Sequence, residues 1–433
     1  MGITRNVLVH LTKSFSFSVR SVMYWGMQNS SYSPEKTDVA IIGGGIIGLS
    51  VAYTLLQDQP NLKLTLFEKE PKICQHQTGR NSGVIHSGIY YPPKSEKARN
   101  CLRGYGMLID FVKKNEIRHD LCGKVIVATQ ESEYERLNNI LIRGQQNGLS
   151  GLKMLEQDEI QQYEPHCAGT KGIFVPQTGI VDYPQMCQVL YDKVIQSGGD
   201  IRLSEPVKNL AEQSGGEILI QTDKTEMVTN FVITTTGLQS DRVARKLAPD
   251  LPFKILPFRG EYFKLVENKR HLIKNLIYPV PDPQFPFLGV HFTRMTSGDI
   301  EAGPNAVLAL AREGYTWKNW NLSDICESLT WPGMQKIMAK HWRVGLGEVY
   351  RSLSRKAFAR ALQRLVPEVE EEDLIPVPAG IRAQASNRKG LVDDFWLENR
   401  KNCILVLNAP SPAATSSLSI ARTIADQYKM TTC

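Results

Sequence analysis

The stretch from Asp38 to Glu68 constrains the fold more than any other part of the chain. An apolar run, Val39–Ile42, leads into Gly43-x-Gly45-x-x-Gly48. A run with helical periodicity follows, with Ile46 and Ile47 inside the glycine motif, and then a second apolar strand, Leu62–Phe67, ending at Glu68 and Lys69. Glu68 falls about 20 residues beyond the last glycine, the spacing at which an acidic side chain meets a ribose 2′-hydroxyl. Gly43 permits a tight turn, Gly45 lets a pyrophosphate approach the backbone, and Gly48 lets helix and strand pack closely. The helix N-terminus then presents its amides to the phosphates. Glycine turns are common on their own. Strand, helix, second strand and acid in this order predict a dinucleotide site in a βαβ unit.

The rest of the chain shows how that unit is extended. With 433 residues there is room for two domains or one elaborated domain. Helices are predicted at Ser95–Lys114, Glu131–Gln146, Glu156–Tyr163, Tyr183–Gln196 and across much of 323–366. Strands are predicted at Lys124–Thr129, Asp200–Leu203, Ile218–Thr222, Phe231–Thr235, Phe253–Leu256, Glu261–Val266, Phe287–Phe292, Ala306–Leu310 and Cys403–Leu407. Nucleotide-type segments therefore return near 182–238 and again at the end, with strand-rich and proline-rich sequence between them. This is the pattern of an α/β protein with an α+β insertion. Residues 37–118, 182–247 and 376–430 would form a discontinuous Rossmann-like domain, and 119–181 and 248–375 a substrate-binding domain with a mixed or antiparallel sheet.

Composition excludes several classes. A hydrophobic content of 42% and a charged content of 22% are ordinary for a globular protein. No apolar run reaches the roughly 18–20 residues needed to span a bilayer. The eight cysteines are scattered, without CxxC or His/Cys spacing for a metal, so none is expected and a reducing compartment is. Residues 1–36 stand apart. Up to Pro34 they hold Arg5, Lys13, Arg20 and seven serines, with no Asp or Glu, which is the composition of a mitochondrial transit peptide or of a disordered tail. Losing those three cations takes the net charge from +7 to +4, too mild a balance to imply nucleic acid.

Several long blocks resemble the FAD-dependent D-amino-acid-oxidase-like superfamily. They are Thr78-Gly79-Arg80-Asn81-Ser82-Gly83-Val84-Ile85-His86-Ser87-Gly88-Ile89-Tyr90-Tyr91, Pro257–Tyr262, Tyr278–Pro283, Phe287–Phe292, Gly303–Val307, Pro378–Gln384 and Asn408–Ser417. Within the superfamily these blocks are similar to the branch acting on L-2-hydroxyglutarate. The resemblance implies FAD as cofactor and oxidation of L-2-hydroxyglutarate to 2-oxoglutarate in mitochondria. Electrons would leave to an unidentified acceptor other than NAD or oxygen. A sarcosine-type amine or amino-acid oxidase and a non-catalytic FAD-binding redox partner are the competing readings. No anchor is visible. The basic region Lys336–Arg364 leaves peripheral inner-membrane contact open beside the blander reading of a solvated helix face.

The resemblance also distributes roles. Thr78, Gly79, Arg80, Asn81, Ser82 and Gly83 match a second FAD contact, Val207 a clamp on adenine, and Thr236 and Gly237 a strand end beside the phosphates. Gly380 lies in the block that carries Arg382. Ala413, Ala414, Thr415 and Ser416 are expected to open a helix whose positive end suits the reduced flavin. Hydride removal from a hydroxy acid needs a base near neutral pKa and cations for carboxylates. His86 is the candidate base; a covalent tether for FAD and a plain loop histidine are its alternatives. Arg382 is the candidate carboxylate clamp, since a guanidinium binds carboxylate through paired hydrogen bonds; a structural arginine is the alternative. Arg259 is a candidate second ligand for carboxylate or flavin. Alternation along a strand puts Arg259 and Glu261 on one face and Tyr262 on the other. His291 and Asn305 are weaker candidates.

Overall fold

The computed structural model describes residues 34–282 and 289–432. Residues 1–33 of the predicted leader, and the positions of Pro283, Phe287 and Leu288 in the quoted blocks, lie outside the described residues; the leader's predicted end at 36 is corrected, since Glu35 and Lys36 belong to the first strand.

The first strand, Glu35–Ile42, is flanked in parallel by Leu64–Phe67 and Glu226–Thr234. Asp200–Arg202 extends the sheet beyond Leu64–Phe67, and Cys403–Asn408 extends it beyond Glu226–Thr234, both in parallel. Trp396–Arg400 closes that edge antiparallel. The outer half of Glu226–Thr234 carries an antiparallel ribbon, Ile218–Gln221 with Asn209–Glu212. Alternation along these strands divides two cores. Val39, Ile41, Leu64, Leu66, Phe231, Ile233, Ile404 and Val406 pack with the helices Ile46–Asp58, Glu96–Lys114, Tyr183–Gln196 and Ser417–Thr432. Ala40, Ile42, Phe67, Val232, Leu405 and Leu407 face the opposite way, onto Phe253, Ile255, Ala383 and Ala385 of the second sheet. Strands buried on both faces need apolar side chains at every position, which is why these runs read as continuous rather than alternating.

The second sheet is mixed. Its order is Gly390–Leu391, Leu374–Asn387, Lys254–Leu265, Ile300–Gly303, His291–Arg294, Leu276–Pro279, Lys124–Ala128, Lys171–Val175 and Lys153–Glu156. Leu276–Pro279 and Lys124–Ala128 run parallel and the other pairs antiparallel. The architecture is thus α/β, with mixed-sheet material between the nucleotide-type segments.

Three local readings change. Phe253–Leu256 and Glu261–Val266 are one strand, Lys254–Leu265, running through Pro257. Pro257 faces Ala383 in register and its carbonyl accepts the Ala309 N–H. The neighbour on its far side is the two-residue strand Val307–Leu308, so the absent proline N–H sits close to a sheet edge, where it is tolerated. Leu374–Asn387 is a long strand that its own propensities conceal, because Pro376 and Pro378 interrupt the β-forming residues. The C-terminal helix starts at Ser417 rather than Ala413. Before it the chain makes successive turns, with Ala413 N–H donating to Pro410 and Ser416 N–H to Pro412.

Candidate active site

The C-terminal ends of the parallel strands and one face of the second sheet enclose a cavity of about 1170 Å³. This is where ligands bind in open α/β sheets. At the glycine-rich end the backbone is held tightly. Gly43 has φ +115°, and a Cβ there would lie 2.6 Å from the Thr235 carbonyl oxygen. A Cβ on Gly48 would lie 2.0 Å from the Gly43 oxygen. The helix that follows has Gly45 as its N-cap, with no side-chain cap and no acidic residue in its first turn. Ile46 N–H donates to Thr78 Oγ1 at 3.2 Å, which joins the glycine turn to the second predicted contact loop. Asn81 stiffens that loop by donating to Thr78 O at 2.6 Å and accepting from Gly83 N–H at 2.9 Å.

Gly43, Gly45, Ile46, Ile47, Glu68, Lys69, Thr78, Arg80, Asn81 and Ser82 all line the cavity, as do Val207, Thr236, Gly237, Gly380, Ala413 and Ala414. Glu68 is buried, its carboxylate accepting the Gly44 N–H at 2.6 Å and the Glu70 N–H at 2.9 Å. Lys69 is clamped by Glu70 and Glu313 at 2.7 and 2.8 Å. Gly48, Gly79, Gly83, Thr415 and Ser416 stand outside the lining, and their place is structural. Gly79 and Gly83 border a neighbouring cleft, and Gly48 sets the approach of helix to strand. Thr415 is a buried hub. Its Oγ1 accepts the His86 N–H at 3.1 Å and lies 3.0 Å from the Tyr183 hydroxyl.

His86 and Arg382 line the same cavity. The His86 backbone is pinned on both sides, by Thr415 at its N–H and by the Cys101 thiol at its carbonyl, 3.3 Å away. Its Nε2 lies 3.3 Å from Ser411 Oγ. Burial, then the charges of Lys124, His291 and Arg382, pull its pKa down to about 3, so the ring is neutral at physiological pH. Arg382 sits opposite Phe258 on the adjoining strand. Directly paired residues share a face, so Phe258, Gly260 and Tyr262 line the cavity with Gly380, Arg382 and Gln384. Burial lowers the Arg382 pKa from its ordinary value.

Arg259 does not take its predicted place. It lies on the opposite face of the strand, held by Glu261 at 2.8 Å with its guanidinium over the Trp317 ring at 4.8 Å. It is absent from the cavity wall, which removes it as a carboxylate or flavin ligand. Asn305 lines the cavity, but its side chain is bonded within the fold, accepting the Glu261 N–H at 2.8 Å and donating to the Glu348 carbonyl at 3.2 Å. His291 does line the cavity. Its Nδ1 lies 2.9 Å from the Gly289 carbonyl and its ring stacks on Tyr278 at 3.9 Å, and burial pulls its pKa down to about 4. Tyr90, Tyr91 and Tyr278 also form the wall; the family blocks contain all three without giving them a role.

The residues present suit a bound dinucleotide. Two glycines are forced by backbone contacts, a helix N-terminus without an acidic residue in its first turn faces the cavity, and the buried Thr236 hydroxyl on the wall has no hydrogen-bond partner among the described residues. The family model described as FAD dependent oxidoreductase matches residues 38–427. The chain belongs to this family. Its cofactor is FAD. Among the relatives of this flavoprotein, an L-2-hydroxyglutarate dehydrogenase of Indibacter alkaliphilus is 51% identical over 390 residues, covering 90% of this chain and 98% of the relative. The mitochondrial L-2-hydroxyglutarate dehydrogenase of Caenorhabditis elegans is 43% identical, covering 93% and 95%. Of solved structures, the FAD-bound L-α-glycerophosphate oxidase of Mycoplasma pneumoniae superposes with a TM-score of 0.74 at 22% identity, covering 90% and 93%. Glycine oxidase of Geobacillus kaustophilus gives 0.69 at 15%, covering 92% and 96%. At these identities the structural likeness shows the fold alone.

Proposed function

We propose that this flavoprotein oxidises L-2-hydroxyglutarate to 2-oxoglutarate and passes the electrons to an acceptor other than NAD or oxygen. One observation carries the chemistry: a neutral imidazole, His86, and a half-buried guanidinium, Arg382, face the cavity that the dinucleotide motif opens into. The relatives' shared name narrows the hydroxy acid.

FAD would be held by the Gly43–Gly48 turn, Glu68, the Thr78–Ser82 loop and Thr236, and when bound it supplies the hydride acceptor. The protein supplies the rest. Arg382 grips a carboxylate through two parallel charge-assisted bonds and so fixes which face of the substrate carbon is presented. His86 accepts the hydroxyl proton. Its pKa of about 3 makes it a weak base on its own. A substrate dianion offsets the positive charges of Lys124 and Arg382 and raises that pKa toward the useful range, so the base is strengthened by the substrate it serves. Thr415 and Cys101 fix the main chain from which the ring projects, because both backbone groups of His86 are bonded. The positive end of helix Ser417–Thr432 follows Ala413 and Ala414 at the cavity wall and suits the charge on the reduced cofactor.

The parallel sheet would act as the FAD-binding domain and the mixed sheet as the substrate domain. We infer a mitochondrial address from the acid-free, serine-rich leader together with animal relatives named mitochondrial. Among the described residues no helix is long and apolar enough to cross a membrane.

The test is dye-linked turnover with detection of the product. Formation of 2-oxoglutarate from L-2-hydroxyglutarate, with no dye reduction by sarcosine, is expected. Turnover of amines in place of the hydroxy acid would transfer the chain to the oxidase reading.

A further inference from the structure

Lys124 begins the strand Lys124–Ala128 and is 2% exposed. Its ammonium lies 4.5 Å from the centre of the Tyr90 ring and 4.7 Å from that of Tyr278. Both rings form part of the cavity wall, and Tyr278 also stacks on His291. The ammonium is therefore one aromatic layer away from the substrate space. Among the described residues, the titratable groups that interact with it are neutral or positive: His86 and Tyr90 from the loop after Ile85, Cys101 from helix Glu96–Lys114, and Tyr278 and His291 from strands of the second sheet. Among the described residues no carboxylate forms an ion pair with Lys124, and the negative group that favours its charge is the Cys101 thiolate. That thiol is itself pushed up to about 12 by burial and stays protonated.

A buried ammonium without a carboxylate is costly, and the two tyrosine faces offset part of that cost. Burial pulls the Lys124 pKa down to about 7. Such a group is retained where function needs it. The charges that would balance it have to come from the ligand.

We propose that Lys124 is a positioning residue for the second carboxylate of the substrate, acting through the Tyr90 and Tyr278 layer to make the site prefer a dicarboxylate over a monocarboxylate. The proposal rests on the 2-hydroxy-acid reading above. Arg382 serves one carboxylate of the dianion. Lys124 supplies the field that favours the other, and a monocarboxylate leaves that field unused. The same cation depresses His86 more than any other charge does, so removing it has a second, independent signature in the pH dependence.

The experiment compares wild type, Lys124→Met and Lys124→Arg on L-2-hydroxyglutarate and on L-2-hydroxybutyrate, which lacks the distal carboxylate. The measured quantity is the ratio of kcat/KM for the two acids, which does not depend on the fraction of enzyme that is folded. K124M is expected to lower this ratio about tenfold or more, mainly through KM of the dicarboxylate, as expected when one member of a desolvated charge pair is lost. K124R is expected to restore most of it. The acid limb of the kcat/KM profile is expected to move to higher pH in K124M, because His86 loses a cation that holds its pKa down. An unchanged ratio in K124M, or equal losses on both acids with no shift of the acid limb, would overturn the proposal. Wild type inactive on both acids would instead remove the hydroxy-acid reading, and the proposal with it.

Discussion

Replacing Gly48 with alanine tests how the first turn builds the cofactor site. The added Cβ would lie 2.0 Å from the Gly43 carbonyl oxygen and 2.7 Å from Thr235 Oγ1. Ordinary contact is about 3.5 Å, so helix Ile46–Asp58 must retreat from the strand by more than about 1 Å. The neighbouring partner is backbone, which gives way poorly. Overpacking of this kind costs typically about 1–3 kcal/mol. The same retreat moves the amides of the helix N-terminus off their phosphate positions. A displacement of about 1 Å is enough to lose roughly 10²-fold where charges must align. We expect G48A to fold with a lowered Tm and to bind FAD at least about 10²-fold more weakly, read from the flavin-to-protein absorbance ratio and from titration of the apoprotein. Gly345 provides the control. It lies in the helix Pro332–Leu353 with nothing within 4 Å of an added Cβ. G345A should keep full FAD and gain up to about 1 kcal/mol, the usual difference in helix propensity. Stoichiometric, tightly bound FAD in G48A would refute the reasoning.

Other expectations follow from the same geometry. His86→Gln should retain FAD yet slow flavin reduction by about 10²–10⁴-fold, the usual worth of a positioned base. Stopped-flow rates equal to wild type would exclude His86 from that role, and flavin freed from acid-denatured protein only after the substitution would mark it as the tether instead. Arg382→Lys should raise KM by more than tenfold through loss of the paired bonds, whereas Arg259→Met should change KM by less than about threefold, since that guanidinium faces Glu261 and Trp317; steady-state kinetics on both variants would expose a reversal. His291 is held near pKa 4 in the fold against an ordinary value of 6.5. A depressed folded pKa means that the unfolded chain takes up the proton first as pH falls. Wild-type apoprotein should therefore lose up to about 1.4 kcal/mol per pH unit, relative to His291→Gln, between pH 6.5 and about 4. Parallel denaturation curves for the two proteins across that window would contradict it.

What was legible in the sequence depended on how local the cause was. The glycine turn, Glu68 and the helix Tyr183–Gln196 could be read because their determinants lie within a few residues of one another. Asp182 illustrates this, since its side chain caps that helix by accepting the Gln185 N–H. His86 and Arg382 were found through family blocks, and both face the cavity. Arg259 went astray for a different reason. Alternation correctly placed it with Glu261 and apart from Tyr262, but nothing in the strand itself says which face meets the cavity. That is decided by the register Phe258 to Arg382 on a strand more than a hundred residues away. Lys124 was invisible on similar grounds. A lysine opening an apolar strand reads as a strand end, and only the tertiary fold buries it between two rings. The start of the last helix was misplaced because Ala413–Ser416 has the composition of a helix start, while the chain from Pro410 makes successive turns first.

The most direct test of the account is the anaerobic flavin spectrum of the purified protein after addition of L-2-hydroxyglutarate, with D-2-hydroxyglutarate and sarcosine as separate additions. The L-isomer alone is expected to bleach the flavin band. Bleaching by sarcosine, by the D-isomer, or by none of the three would contradict it, whether or not FAD is bound.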